Sequence, residues 1–233
     1  MRVPKKILFI LIIALALIVQ GSNFYFAAIP SSGDIPSQFK VYDELPVAEP
    51  KRFDSLRDVV QVDEKARKTA AVKEFADLVI DGNSNLIKGV YVEDEFAFPV
   101  VQQPSGQAAF VSTIDSVVTD FAMPRKYGVT GLIAHNYLAG ADFFNLNIGE
   151  IVQVIYGDGE IEFYEITDIQ RYQALQPNSP NSQFIDLETS LKITATQLFK
   201  RVYMGSHHLT LQTCIEEGLE DSWGRLFIIA DPI

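Results

Sequence analysis

The sequence predicts a mainly β domain, a sandwich or a closed barrel with few helices, and three observations carry that expectation. From Lys88 onward, short β-rich runs alternate with turn signals, among them Gly89 to Val92, Phe96 to Val101 and Phe110 to Val118. One hairpin is explicit: Ile151 to Tyr156, the turn Gly157-Asp158-Gly159, then Glu160 to Ile166, with apolar and polar residues partly alternating on both arms. Two late strands follow, His208 to Cys214 and Arg225 to Ile229. A length of 233 residues suits one well-packed domain plus appendages.

The appendages come first. Arg2, Lys5 and Lys6 precede an unbroken apolar run from Ile7 to Val19, and no further basic residue appears until Lys40. That asymmetry keeps the N-terminus in the cytoplasm and exports the rest. The run by itself matches a signal-peptide core, and Val19 and Gly21 give a passable cleavage context. Apolar character resumes through Phe24 to Ile29, which makes a tilted, uncleaved transmembrane anchor over residues 1–29 the expectation. Residues 30–59, with Pro30, Pro36, Pro46 and Pro50 and no sustained periodicity, read as an extracytoplasmic linker. The domain spans 60–233 and opens with a helix, because Val62, Ala66, Thr69, Val72, Phe75, Ala76 and Val79 recur at helical spacing up to the stop at Asp81-Gly82-Asn83.

Between Tyr172 and His207 the sequence predicts a long insertion. Pro177-Asn178-Ser179-Pro180 is a turn cluster, Thr194-Ala195-Thr196-Gln197 reads as a capping box, and Leu191, Ala195, Leu198 and Val202 set a helical spacing around it.

A formal net charge of -11 disfavours a phosphate-backbone binder and makes a basic ligand or partner easier to accommodate. The single cysteine, Cys214, excludes an intramolecular disulfide and a multi-thiolate metal site. Strand alternation over His208 to Cys214 points Leu209 and Leu211 one way, and Thr210, Gln212 and Cys214 the other. A packing cysteine would more naturally share the leucine face, so Cys214 reads as a reactive thiol. Arg225 opens the next strand eleven residues later, and a hairpin would bring it beside Cys214, where a guanidinium stabilises both thiolate and oxyanion.

Thr210-Leu211-Gln212-Thr213-Cys214-Ile215 resembles the TLxTC signature of the sortases, and Gly224-Arg225-Leu226-Phe227-Ile228 resembles the arginine strand that follows it. Upstream, Gly131-Leu132-Ile133-Ala134-His135-Asn136 looks like the family's histidine segment, with Phe143, Leu146 and Gly149 fitting the stretch behind it. The match covers roughly Gly89 to Ile233 in the family's order of His, Cys, Arg. The resemblance implies a closed β-barrel of about eight strands. It also implies a transpeptidase that cleaves a sorting signal, often LPxTG-like, through a thioacyl intermediate, with Cys214, His135 and Arg225 catalytic and Thr213 and Asn136 binding substrate. The implied partners are a surface or secreted protein bearing a C-terminal sorting motif, and an amine acceptor from a cell-wall peptide or a lysine side chain. The helix-bearing insertion corresponds to the loop that shapes sorting-signal specificity in the family. The linker lacks the Asp-Pro-aromatic lid of pilin-type members, and Leu45-Pro46-Val47-Ala48-Glu49, a faint echo of a sorting signal, reads as linker.

The chemistry follows from the residue types. A thiol attacks an amide carbonyl as thiolate, and with ordinary cysteine and histidine acidities the thiolate–imidazolium pair is only about 1% of the neutral pair. A cation such as Arg225 therefore helps, and His135 would protonate the leaving amine and deprotonate the incoming one. His207 and His208 are rivals for that role, but six residues of strand separate His208 from Cys214, about 20 Å, too far for proton transfer. Glu216, Glu217, Glu220 and Asp221 read as a solvated turn, with attraction of an amine as the functional alternative. No metal site emerges from ligand spacing and no cofactor is implied. Two other readings share these residues: an extracytoplasmic cysteine peptidase that releases the acyl group to water, and an inactive surface-binding module. An L,D-transpeptidase fits less well, because its Gly-Cys motif with an arginine two residues on is replaced here by Thr213-Cys214-Ile215-Glu216.

Overall fold

Strand alternation and turn chemistry from Ile87 onward build a closed β-barrel. The structure, a computed structural model, describes residues 56–233, with side chains from Arg67 on. The expected anchor over 1–29 and the linker up to residue 55 lie outside the described residues. The elements are a helix α1 (Leu56–Val79), then β1 (Ile87–Val92), β2 (Phe96–Gln102), β3 (Val118–Asp120), β4 (Thr130–Ile133), β5 (Ile151–Tyr156) and β6 (Ile161–Ala174). After these come β7 (Gln183–Asp186), β8 (Lys192–Thr194), α2 (Ala195–Tyr203), β9 (Leu209–Glu217) and β10 (Glu220–Pro232).

The sheet runs β10-β9-β4-β3-β2-β1-β5-β6, and β6 pairs back onto β10, so these eight strands close a ring. Only β2–β3 and β4–β9 are parallel. β6 is long enough to serve three partners: β5 pairs with its first half, β10 with most of its length, and β7 takes over at Tyr172 to Ala174. β7 and β8 thus form a two-stranded flap outside the ring.

Two apolar layers hold this arrangement. Inside the ring, Val90, Leu132, Val152, Leu211, Leu226 and Ile228 are fully or almost fully buried. Outside it, α2 and the flap cover β6 and β10 with Tyr172, Phe184, Leu198, Val202, Tyr203 and Phe227. The predicted capping box is present: Thr194 Oγ1 accepts from Gln197 N, and Gln197 Oε1 accepts from Thr194 N. It orients α2, whose apolar stripe then seals the outer layer. Gly89 lets α1 lie close on β1, since a Cβ there would stand 2.9 Å from the Phe75 ring.

Three expectations are corrected. The run Phe110 to Val118 is not a strand; only Val118–Asp120 pairs. Its backbone is diverted locally, because Ser112 N donates to Thr119 Oγ1, Ile114 N donates to Ser112 Oγ, and Ser116 takes a positive φ of 58°. The insertion holds a β-hairpin as well as a helix. Leu191 belongs to the turn of that hairpin and is exposed, so it does not share the helical stripe of Leu198 and Val202.

Candidate active site

Alternation along β9 and β10 sorts their side chains as expected. Leu209 and Leu211 enter the barrel, while Gln212 and Cys214 face outward. In the antiparallel pairing of β9 with β10, Arg225 is the direct partner of Cys214, so both side chains stand on the same outer face. Cys214 and Arg225 are each half-buried.

His135 is brought in by the parallel pairing of β4 with β9. Thr130 pairs with Leu209, Gly131 with Thr210, Leu132 with Leu211 and Ile133 with Gln212, a constant offset of 79 residues. The same offset separates His135 from Cys214. Ala134 N donates to Gln212 O at 3.1 Å and closes the last pair, Ile133 with Gln212, while Thr213 Oγ1 donating to Ala134 O keeps the two chains side by side one residue further on. His135 therefore emerges abreast of Cys214. Cys214 and Arg225 are direct partners on neighbouring strands, about 4.8 Å apart, and His135 lies two residues past the end of β4, the strand that flanks β9 on its other side.

Beyond Ala134 the chain turns sharply. Leu138 N and Gly140 N both donate to His135 O, each at 3.0 Å, and Ala139–Asn145 continues as a 3-10 helix. Thr213 Oγ1 donates to Ala134 O at 3.0 Å. Thr213 is buried and its hydroxyl is committed to the histidine loop. Asn136, the other expected substrate contact, donates through Nδ2 to Asp221 O at 3.2 Å and so ties the histidine loop to the β9–β10 hairpin. Two further residues, not singled out in the sequence, fit the same construction. Gly140 has no room for a side chain, since a Cβ would stand 2.7 Å from His135 O. Tyr137 stacks on the His135 imidazole with ring centroids 5.1 Å apart.

The Arg225 guanidinium meets backbone carbonyls: Nη1 donates to Ser222 O at 2.8 Å and Gly224 O at 2.7 Å, and Nη2 to Pro177 O at 3.2 Å. Among the described residues no carboxylate pairs with it. Its charge is thus uncompensated by an anion, and the predicted turn cluster at Pro177 leans directly on it. A thiolate or a developing oxyanion on the outer face would meet that charge.

The rival histidines are occupied elsewhere. His208 is buried with its ring nitrogens against Ser206 O and Val202 O, and His207 lies between Gly128 O and the Tyr164 hydroxyl. Glu216, Glu217, Glu220 and Asp221 surround the tip of the β9–β10 hairpin, and all but the half-buried Glu220 are exposed. Among the described residues, no three His, Cys, Asp or Glu side chains gather as a metal cage.

The pairing continues past Arg225. Tyr172 pairs with Arg225, and Asp186 of the flap pairs with Tyr172. Arg201 of α2 donates to both the Tyr172 hydroxyl and Asp186 Oδ2 at 3.0 Å. A cavity of about 620 Å³ opens here, lined in part by Asp168, Gln170, Asp186 and Thr189. Burial pushes the Asp186 carboxyl up, but the N–H groups of Thr189 and Glu188, with Arg201, outweigh it and hold the group below its ordinary value. A depressed carboxyl contributes stability above its unfolded value and loses it as the pH falls through the folded one. The flap is therefore expected to loosen below about pH 4. Amide hydrogen exchange over β7 and β8 should rise between pH 5 and pH 3 relative to the barrel, and equal protection at both values would contradict this.

No protein-family model matches the chain, and no curated protein matches it either. Solved structures do. Sortase C1 from Streptococcus suis is 19% identical with a TM-score of 0.41, over 78% of this chain and 87% of that one. Sortase A from Corynebacterium diphtheriae is 12% identical with a TM-score of 0.42, over 64% of this chain and 60% of that one. Sortase A from Listeria monocytogenes is 11% identical with a TM-score of 0.40, over 63% of this chain and 87% of that one. The solved structures that this chain resembles are sortases of the A and C kinds.

Proposed function

We propose that this chain is a membrane-anchored, extracytoplasmic cysteine transpeptidase of the sortase type, acting on a sorting-signal peptide and passing it to an amine on the cell surface. The observation that carries the reading is the shared register: the offset that pairs β4 with β9 is the His135–Cys214 separation, and Arg225 is the cross-strand partner of the same cysteine. In the proposed cycle the Cys214 thiolate attacks the scissile carbonyl carbon, and the C–N bond breaks as His135 protonates the leaving amine. The thioester that remains is attacked by an incoming amine, which gives its proton to His135; a new C–N bond forms and the thiolate leaves. Arg225 faces the oxyanion in both tetrahedral stages. The exposed carboxylates of the β9–β10 tip favour the approach of a protonated amine.

The anchor rests on Arg2, Lys5 and Lys6 ahead of the apolar run from Ile7. Among the described residues no helix is long and apolar enough to cross a membrane, and residues 1–29 lie outside them. Protease shaving of intact cells should degrade the domain, whereas a soluble product beginning near Ser22 would remove the uncleaved anchor from the proposal.

The reaction is tested by mass spectrometry of products from a library of Leu-Pro-containing peptides, with and without glycine peptides or lysine-like amines. Amine-dependent ligation products are expected. Hydrolysis that no amine diverts would favour the peptidase, and no covalent adduct with any peptide or thiol probe would favour the inert binding module.

A further inference from the structure

A base that shuttles protons in both directions needs its ring held at one angle, usually by a third group bonded to the distal ring nitrogen. His135 has no such group: neither ring nitrogen is hydrogen-bonded to another described residue. What does touch the imidazole is the ring of Tyr137, at 5.1 Å between centroids and 20° between planes, an offset stack. Tyr137 is 61% exposed, so no core holds it there. The loop does: His135 O accepts from Leu138 N and Gly140 N, and Asn136, the residue between the two in sequence, is tied to Asp221 O. These bonds fold residue 137 back over residue 135. Relying on the transpeptidase reading of the site, we propose that Tyr137 is the positioning residue for His135, doing through its ring face what a hydrogen-bonded carboxylate or amide does elsewhere.

Two consequences separate this from simple bulk. The stacked ring face fixes the plane of the imidazole, at 20° to the Tyr137 ring. It also leaves the ring edge, with both nitrogens, open to those partners. An aliphatic side chain of similar size supplies cover but no flat face to set the angle of the ring.

The experiment compares Tyr137→Phe and Tyr137→Leu with the parent in the full-length chain in detergent, labelled at its three histidines. Stacking should shift the His135 ring protons upfield in the parent and in Tyr137→Phe, and the shift should vanish in Tyr137→Leu. Acylation of Cys214 by a substrate peptide should fall about tenfold in Tyr137→Leu with KM little changed, and stay within about threefold in Tyr137→Phe. The rate of Cys214 alkylation by iodoacetamide, followed from about pH 5 to 9, should change its profile in Tyr137→Leu only. A Tyr137→Leu enzyme with parental acylation and profile, or a parent without the upfield shift, would overturn the assignment. Absence of any acyl transfer in the parent, with the upfield shift intact, would instead overturn the reading of the site.

Discussion

Cys214→Ala is expected to abolish acyl transfer, with a loss on the order of 10⁴-fold or more and no thioester adduct by mass spectrometry, while the barrel stays folded. The thiol is half-buried on the outer face and contributes no side chain to the barrel interior, so its removal leaves no large cavity. His135→Ala should cost nearly as much, and the double variant little more than either alone, because groups that act as one unit are grossly non-additive. Arg225→Ala should lower turnover by about 10²–10³-fold if it serves the oxyanion. Substantial turnover in Cys214→Ala would end the cysteine mechanism; activity that survives His135→Ala but not His208→Ala would move the acid/base role. Circular dichroism and a thermal melt alongside the kinetics separate chemistry from unfolding.

The second large effect is expected at a residue with no reactive group. A Cβ on Gly140 would sit 2.7 Å from His135 O and 2.9 Å from its carbonyl carbon, and it would also press on Thr213 Oγ1. Backbone cannot swing aside as a long side chain can, so Gly140→Ala must displace the turn that presents His135. A shift near 1 Å in a catalytic group costs about 10²-fold, and overpacking of this kind about 1–3 kcal/mol of stability. Turnover measured well below the melting temperature should therefore fall about 10²-fold with the Cys214 thiol still open to alkylation. A Gly140→Ala enzyme with parental turnover would show that the loop relaxes at no cost.

Local chemistry made much of this legible in the sequence. Gly157-Asp158-Gly159 specifies a turn between alternating arms, and β5 and β6 form there. Alternation in Leu209 to Cys214 separates core from outer face, and a short hairpin places Arg225 opposite Cys214; both hold. The capping box at Thr194 needs only four residues and is found. What stayed hidden depends on contacts between residues far apart in the chain, or on elements too short to show a period. β7 and β8 have four and three residues, too few for alternation to stand out. In Phe110 to Val118, β-rich composition loses to serine and threonine side chains that compete for the backbone. The count of eight strands is implied by the family resemblance and not by any strand tally. Thr213 and Asn136 sit beside Cys214 and His135 in sequence, and their hydrogen bonds go to Ala134 O and Asp221 O, which alternation alone does not reveal.

The parallel pairing of β4 with β9 also bears on how the protein reaches its working form. Two strands joined at a distance of 79 residues must close a long loop before any contact rewards them, and closure of the ring needs β10 to find β6 across a further long interval. These are among the most non-local contacts in the molecule, and they are the ones that bring the segments bearing His135, Cys214 and Arg225 side by side. Intermediates with the β5–β6 hairpin and α2 already formed would carry an unpartnered thiol. In refolding, fast recovery of secondary structure should thus be followed by a slow phase in which catalytic competence appears, making the active site a reporter of completed topology.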